Sequence, residues 1–200
     1  MKARKHWIIV LIGIIVGFGG CDNPTRGNGG TDYSPEYWFE FDDDGALIAS
    51  AAFPDSTTSI VIPSTLGRIP VTSIGVNAFN QGVMVNDEWV RRVDLSSVVI
   101  PNSVTSIGRQ AFAGNSLTSV LIPNSVVTIE TVAFPGNNLI SVILGNNVTN
   151  IGTNVFAANH NLTTVTVRLR QGETQAQAEE RLGENWPSGI TGNALISFVQ

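Results

Sequence analysis

One stretch, residues 95 to 151, repeats a single pattern three times, and this repetition limits what the chain can fold into more than any other feature. The pattern reads Leu95-Ser-Ser-Val-Val-Ile-Pro, then Leu117-Thr-Ser-Val-Leu-Ile-Pro, then Leu139-Ile-Ser-Val-Ile-Leu-Gly, with 22 residues from each leucine to the next. A fixed period of this size is typical of solenoids, in which each repeat forms one short coil of a stack. The sequence therefore predicts a mainly β solenoid of short strands and turns.

The apolar residues of each repeat fall at positions that one coil cannot bury alone. In the second repeat they are Leu117, Val120, Ile122, Val126, Ile129 and Phe134. Val120 and Ile122 share one face of a short strand, since side chains alternate along a strand. Pro123 ends that strand because it has no N–H to donate. Stacking would bury these positions in one continuous core. The interior column of such a stack would contain Phe112, Phe134 and Phe156.

Three strings in this stretch carry a family resemblance. Ile-Pro-Asn-Ser-Val-Thr-Ser-Ile-Gly from Ile100 to Gly108, Ala111-Phe112, and Leu117-Thr-Ser-Val resemble the BspA-like leucine-rich repeats of bacterial surface proteins. The resemblance covers roughly residues 38 to 167. It implies a right-handed leucine-rich-repeat fold and a role in adhesion or host-protein binding. It implies no particular ligand.

The first 20 residues have the parts of an export signal. Lys2, Arg4 and Lys5 precede an apolar run from Trp7 to Phe18, which is too short to span a bilayer at about 20 residues per helix. Phe18-Gly19-Gly20-Cys21 resembles a bacterial lipobox, which implies cleavage before Cys21 and diacylation of that cysteine. The alternative is an ordinary signal peptide followed by a chance cysteine. Acylation would hold the protein to a membrane, because each buried CH₂ contributes about 0.8 kcal/mol.

The remaining chain divides into segments by composition and periodicity. The sequence predicts a signal peptide at 1–20, a flexible tether at 21–34, an N-terminal cap hairpin at 35–57, repeats at 58–167 with an insertion at 80–94, and a C-terminal cap at 168–200. Asp42-Asp43-Asp44-Gly45 predicts the hairpin turn. A calcium loop is disfavoured there, because its twelfth position would be Ala51 rather than glutamate. Thr174 and Gln177 predict a capped helix that ends before Gly183, and the Glu179-Glu180-Arg181 run reads as its solvated face.

Charge and residue types exclude several classes of function. The formal charge is −5, and removal of Lys2, Arg4 and Lys5 would change it to −8. Such a chain does not suit nucleic acid or anionic lipid headgroups, which need a basic face. Cys21 is the only cysteine, and His160 is the only histidine beyond the export signal, so a cysteine or histidine metal cluster cannot form within one chain. We expect neither an enzyme nor a cofactor.

Two regions are candidate binding sites. Strand alternation places six residues outward on the sheet face: Ser97, Val99, Ser119, Leu121, Ser141 and Ile143. Aliphatic side chains left in water suggest a binding stripe, although they could instead supply β-propensity or be covered by the chain's tail. The insertion contains Trp89, Arg91 and Arg92, residue types enriched at interface hot spots. The alternative is that it folds back as an extra hairpin over the core.

These patterns together predict a non-enzymatic, lipid-anchored protein of the bacterial cell envelope, on its outer surface. Its partner would be an extracellular protein, bound in adhesion to a host or neighbouring cell. The alternative is a structural or envelope-assembly lipoprotein that has no host ligand. The assignment to adhesion comes from the family resemblance alone.

Overall fold

The strands of this protein are short because each one spans a single side of a coil. A computed structural model describes residues 39–49, 57–80, 82–85, 88–91, 94–190 and 194–200. The predicted signal peptide, lipobox and tether lie outside the described residues. The strands are β1 (Phe39–Phe41), β2 (Leu47–Ala49), β3 (Ser59–Val61), β4 (Thr65–Leu66), β5 (Ile69–Pro70), β6 (Ser73–Ile74), β7 (Gly82–Val85), β8 (Glu88–Arg91), β9 (Ser97–Val99), β10 (Ser106–Ile107), β11 (Ser119–Leu121), β12 (Thr128–Ile129), β13 (Ser141–Leu144), β14 (Asn150–Ile151), β15 (Thr164–Arg168) and β16 (Leu195–Val199), and helix α1 is Gln175–Leu182.

Two sheets, in which all strand pairs except β1-β2 are parallel, form opposite sides of the stack. One has the order β1-β2-β6-β10-β12-β14, and the other has the order β11-β13-β15-β16, with the parallel pair β3-β9 preceding it. Equivalent residues of successive coils pair, as Ser106 does with Thr128 and Thr128 with Asn150. This pairing follows from the 22-residue period, because each coil repeats the path of the one before. The predicted leucine-rich-repeat solenoid is confirmed.

A column of phenylalanine rings runs through the core. The ring centroids are 5.3 Å apart from Phe79 to Phe112, 4.9 Å from Phe112 to Phe134 and 5.8 Å from Phe134 to Phe156. All four side chains are at most 1% exposed. Phe39 of the first strand meets Phe79 edge-on at 6.2 Å. The predicted interior column is therefore confirmed, and it extends to a fourth stacked ring.

Buried asparagines form a second column that the apolar pattern did not predict. They are Asn115, Asn137 and Asn159, again 22 residues apart. Asn137 Oδ1 accepts from the Leu117 N–H at 3.2 Å, and its Nδ2 donates to the Phe112 carbonyl at 2.9 Å. Asn115 and Asn159 make the equivalent pairs. Each amide thus satisfies backbone groups that would otherwise be buried without partners.

The turn before each core phenylalanine contains a left-handed residue. Gln110, Val132 and Asn154 have φ angles of 55°, 50° and 55°. Asparagine tolerates this conformation, whereas a β-branched side chain such as valine is strained in it. A backbone hydrogen bond to the next coil holds this turn in place: the Val132 N–H donates to the Thr153 carbonyl at 3.0 Å. Val132 therefore stores strain inside an otherwise regular stack.

Two small hairpins interrupt the early repeats. One is the antiparallel pair β4-β5 in the first repeat, and the other is the antiparallel pair β7-β8 in the 80–94 insertion. The hairpin geometry of the second insertion matches the alternative stated above. The positions of its side chains lie outside the described part of the chain, so its role stays a prediction.

The N-terminal cap is a hairpin that continues one sheet. Strand β2 pairs antiparallel with β1 and parallel with β6. Asp42 Oδ1 accepts from the N–H groups of Asp44 and Ala46, at 3.0 and 2.8 Å. This carboxylate therefore has a turn-forming role, in agreement with the predicted Asp-Gly turn.

The C-terminal cap contains the predicted helix and a strand. Thr174 caps α1, and its side chain and that of Gln177 make the reciprocal capping box. The prediction for Arg181 is wrong: its side chain is only 5% exposed, and it pairs with Glu173 at 2.8 Å instead of facing solvent. Its guanidinium also donates to the carbonyls of Val148 and Arg168. A buried charge needs such partners, which sequence spacing on the helix alone does not reveal.

Candidate protein-binding face

The predicted outward residues lie in two rows across successive strands. Ser119 pairs with Ser141 and Leu121 with Ile143, while Ser97 and Val99 pair with the equivalent residues of β3. The structure thus brings together the six predicted residues, which we call the outer stripe: Ser97, Val99, Ser119, Leu121, Ser141 and Ile143. Strands β11 and β13 are hydrogen-bonded neighbours, about 4.8 Å apart, whereas β9 belongs to the separate pair β3-β9.

The aliphatic members of the outer stripe are open to water. Val99 is 53% exposed and Leu121 is 49% exposed, while Ile143 is half-buried. The alternate residues Val120 and Val142 face the core and are almost fully buried. The strands therefore have apolar side chains on both faces, which core packing alone does not require. This arrangement leaves a ridged apolar surface available for contact.

The C-terminal strand β16 does not cover this face. Strand β16 pairs in parallel with β15 and adds one strand to the edge of the sheet. The row that contains Leu121 and Ile143 continues on β15 and β16 with the polar residues Thr166 and Ser197, whose hydroxyl oxygens are 3.3 Å apart. Cover by the C-terminal strand, one of the alternatives for the outer stripe, is therefore wrong.

The outer stripe is uncharged. Between residues 95 and 167, Arg109 and Glu130 are the only formal charges. They follow β10 and β12 on the opposite sheet, where a Glu130 carboxylate oxygen accepts from the Arg109 backbone N–H at 2.8 Å. The stripe can therefore offer apolar contact and hydroxyl hydrogen bonds. It offers no acid, base or nucleophile pair of the kind that catalysis needs.

The second candidate region is only partly described. Trp89 and Arg91 lie on β8, where their backbones pair with Met84 and Gly82. Their side chains, the whole of Arg92, and Cys21 lie outside the described residues.

The described ranges offer little further chemistry. In those ranges no group of three or more His, Cys, Asp or Glu residues could hold a metal ion. His160 is exposed in a turn between coils. No helix among the described residues is long and apolar enough to cross a bilayer.

A cleft at the C-terminal end was missed by the sequence reasoning. It has a volume of about 360 Å³ and is lined by Gln175, Glu179, Trp186, Pro187, Ile196 and Phe198. These residues come from three segments that only the folded cap brings together. Trp186 next to Pro187, beyond the end of the repeats, was the one available signal.

The repeats of this chain resemble known leucine-rich-repeat proteins in both sequence and fold. Residues 83–178 match the model of the BspA type leucine rich repeat region, in six copies. A crystal structure of the T. pallidum leucine rich repeat protein has 18% sequence identity, covers 84% of this chain and 86% of its own, and superimposes with a TM-score of 0.50. At this identity the likeness supports the fold alone.

A second solved structure has a lower likeness. It is a leucine rich cell surface protein from Faecalibacterium prausnitzii A2-165, with 19% identity, coverage of 70% of this chain and 55% of its own, and a TM-score of 0.32. No curated protein matches the chain significantly.

Proposed function

We propose that this chain, whose residues 83–178 match the model of the BspA type leucine rich repeat region, is a bacterial cell-surface lipoprotein that binds an extracellular protein through the outer stripe. The binding would serve adhesion to a host or neighbouring cell. The observation that carries this proposal is the exposure of Val99 and Leu121 on a flat, uncharged sheet face. A rigid solenoid wall supports binding of this kind because it needs no pocket and loses little entropy on contact.

The size of the face limits the affinity it can supply alone. The six strands of this face have three to five residues each, so about 4.8 Å between strands and about 3.3 Å per residue give roughly 300 Å². A stable protein interface needs about 800 Å² from each partner. A partner held by the outer stripe alone would therefore bind weakly, and the 80–94 hairpin with Trp89, Arg91 and Arg92 is the segment we propose to complete the contact.

Changing the stripe tests this proposal. The variant Val99→Glu, Leu121→Glu, Ile143→Glu should lose the partner captured by the wild-type chain from host-cell surface extract. The matched control places three glutamates on other exposed aliphatic residues, Ile69→Glu, Val76→Glu and Val127→Glu, and should keep the partner. Circular dichroism would establish that both variants fold. Equal capture by a folded stripe variant would contradict the proposed site.

The location and anchor need separate tests. Cys21→Ser should abolish incorporation of labelled palmitate, while the wild-type chain is labelled. Protease added to intact cells should degrade the protein if it faces outward. Degradation only after lysis would instead support the envelope-assembly alternative and would end the adhesion proposal.

A further inference from the structure

We propose that the C-terminal end of the stack is a second binding site, which takes an extended peptide segment with a lysine or arginine side chain as a strand added to β16. This site is separate from the outer stripe and does not depend on it. Its parts are the free edge of β16 and the cleft lined by Trp186, Phe198 and Glu179.

Strand β16 lies at the end of its sheet. The Leu195 N–H donates to the Thr163 carbonyl at 2.8 Å, and the Val199 carbonyl accepts from the Leu169 N–H at 2.6 Å. In a parallel pair, alternate residues direct their backbone groups to opposite sides, so Ile196 and Phe198 direct theirs away from β15. No other strand pairs with β16 in the part of the chain that the structure describes. Two N–H and two C=O groups are therefore available to an added strand.

The cleft lies where the next coil of the stack would place its inward side chains. Ile196 and Phe198 pair with Val165 and Val167, which are fully buried. Ile196 and Phe198 themselves are only half-buried. A peptide strand added to β16 would direct alternate side chains over them, toward Trp186, as each coil does to the coil before it. The cleft volume of about 360 Å³ has room for a long side chain.

The lining of the cleft favours a cation at the end of that side chain. Glu179 is the only charged residue of the lining. One of its oxygens, Oε1, accepts from Gln175 Nε2 at 2.9 Å, and within the described chain no hydrogen bond is made by Oε2. Indole and phenyl faces attract cations, and the methylene stem of lysine or arginine packs on apolar walls. The net negative charge of the chain adds to this preference.

The peptide acetyl-Thr-Val-Thr-Lys-Thr-Val-Thr-amide tests the inference on the full-length protein. Amide hydrogen exchange of Ile196 and Phe198 should slow about fivefold or more with millimolar peptide, whereas Ser197, whose N–H already faces β15, should not change. The same peptide with glutamate in place of lysine should bind at least tenfold more weakly. A lysine peptide N-methylated at every second residue, on the edge that faces β16, should not protect these amides. Methylation on the opposite edge should have little effect.

Two variants separate the cation site from the strand. Glu179→Gln should weaken binding of the lysine peptide until its affinity equals that of the glutamate peptide. Glu180→Gln, a change at the exposed neighbouring residue, should leave the affinity of the lysine peptide unchanged. The stripe variant with three glutamates should bind the peptide like the wild-type chain, so that failure here and failure of the proposed function are distinguishable. Equal binding of the lysine and glutamate peptides, binding without protection of Ile196 and Phe198, or no binding at millimolar concentration would overturn the inference. Protection that rises with protein concentration in the absence of peptide would do so too, because the occupant would then be a second copy of the chain.

Discussion

The three regular coils, residues 95–116, 117–138 and 139–161, and the C-terminal cap use different side chains to bond buried backbone groups. The coils use neutral amides, with Asn115, Asn137 and Asn159 in equivalent positions. The cap uses an ion pair, Arg181 with Glu173, whose side chains are 5% and 8% exposed. In this solenoid the periodic coils therefore bury neutral amide side chains, whereas the C-terminal end buries a pair of charged side chains.

The period itself explains this difference. A residue in one coil stands next to its own equivalent in the coils on either side, about 4.8 Å away at the strands. A charge repeated at that spacing would repel its neighbours, since like charges opposite one another destabilise a sheet. A neutral amide both donates and accepts, so it can repeat without this cost. The cap occurs once, and a buried pair is compatible with that position.

The largest expected effect is in the core column. Phe134→Ala should lower the free energy of unfolding by about 4 kcal/mol, because it leaves a cavity between two stacked rings. Urea denaturation followed by circular dichroism measures this change. Ala133→Gly, beside it, removes one methyl group and serves as the small-change control. If Phe134→Ala cost less than 1 kcal/mol, the phenylalanine column would not be the main support of the stack.

The asparagine column tests the neutral half of the comparison. Asn137→Ala should cost about 3 kcal/mol, because the Leu117 N–H and the carbonyls of Phe112 and Phe134 lose a partner in the interior. The exposed neighbour supplies the control, Asn138→Ala, which should change the denaturation midpoint little. Similar midpoints for the two variants would indicate that water replaces the amide.

A change to the ion pair between Arg181 and Glu173 tests how the cap is stabilised. Arg181→Met leaves Glu173 without its charged partner, with only the Arg170 N–H left to bond it among the described residues, and should cost about 2 kcal/mol. This is less than in a deep interior, because the end of the stack is near water. Hydrogen exchange should accelerate in α1 more than in β10 and β12. Arg68→Met, a change of the same charge on an exposed residue of the first repeat, is the control. Equal acceleration in all coils would show that the cap and the stack unfold as one unit.

Acid should affect the cap before the coils. The hydrogen bond from Arg181 holds the pKa of Glu173 below its ordinary value, although burial opposes this shift. A carboxyl with a lowered folded-state pKa stabilises above its unfolded pKa of about 4.3, and this contribution is lost as the pH falls through the folded value. Exchange in α1 should therefore accelerate below about pH 4.3, and Glu173→Gln should remove this dependence. Unchanged acid sensitivity in Glu173→Gln would assign it to other groups.

The smallest effect is a gain in stability. Val132→Asn should raise the free energy of unfolding by about 1 kcal/mol, because asparagine accepts the left-handed conformation that strains valine. Asn154 already occupies the equivalent position of the next coil. The reverse change, Asn154→Val, should lower stability by a similar amount. A denaturation midpoint that does not rise in Val132→Asn would contradict the assignment of strain.

The sequence predicted the parts of the fold that depend on apolar spacing. Leu117, Val120 and Phe134 lie in the core as their spacing indicates. The 22-residue spacing is shared by three buried asparagines, Asn115, Asn137 and Asn159. A search for apolar residues does not find them, because their amides are polar and bond backbone groups. The outer stripe followed from strand alternation, whereas the C-terminal cleft did not, because Gln175, Trp186 and Phe198 meet only through the path of the cap.

Arg181 and the tail show the limit of local reasoning. The helix pattern of Glu179, Glu180 and Arg181 predicts solvent for all three, but Arg181 reaches carbonyls of the last coils, which lie far from it in sequence. The pairing of β16 at the edge of the sheet, rather than across its face, likewise depends on a long-range contact. Such contacts are set by the whole fold and have no signature within a short window.

The asparagine and phenylalanine columns make the same contacts between every pair of neighbouring regular coils. The fold can therefore accept a different number of coils. Each regular coil presents to the next the same contacts that it receives, so an in-frame duplication of 22 codons would insert one further layer without a new fold. A shorter or longer duplication would put every column out of phase. A duplication of one full period would therefore change the number of coils between the two caps and leave both caps as they are.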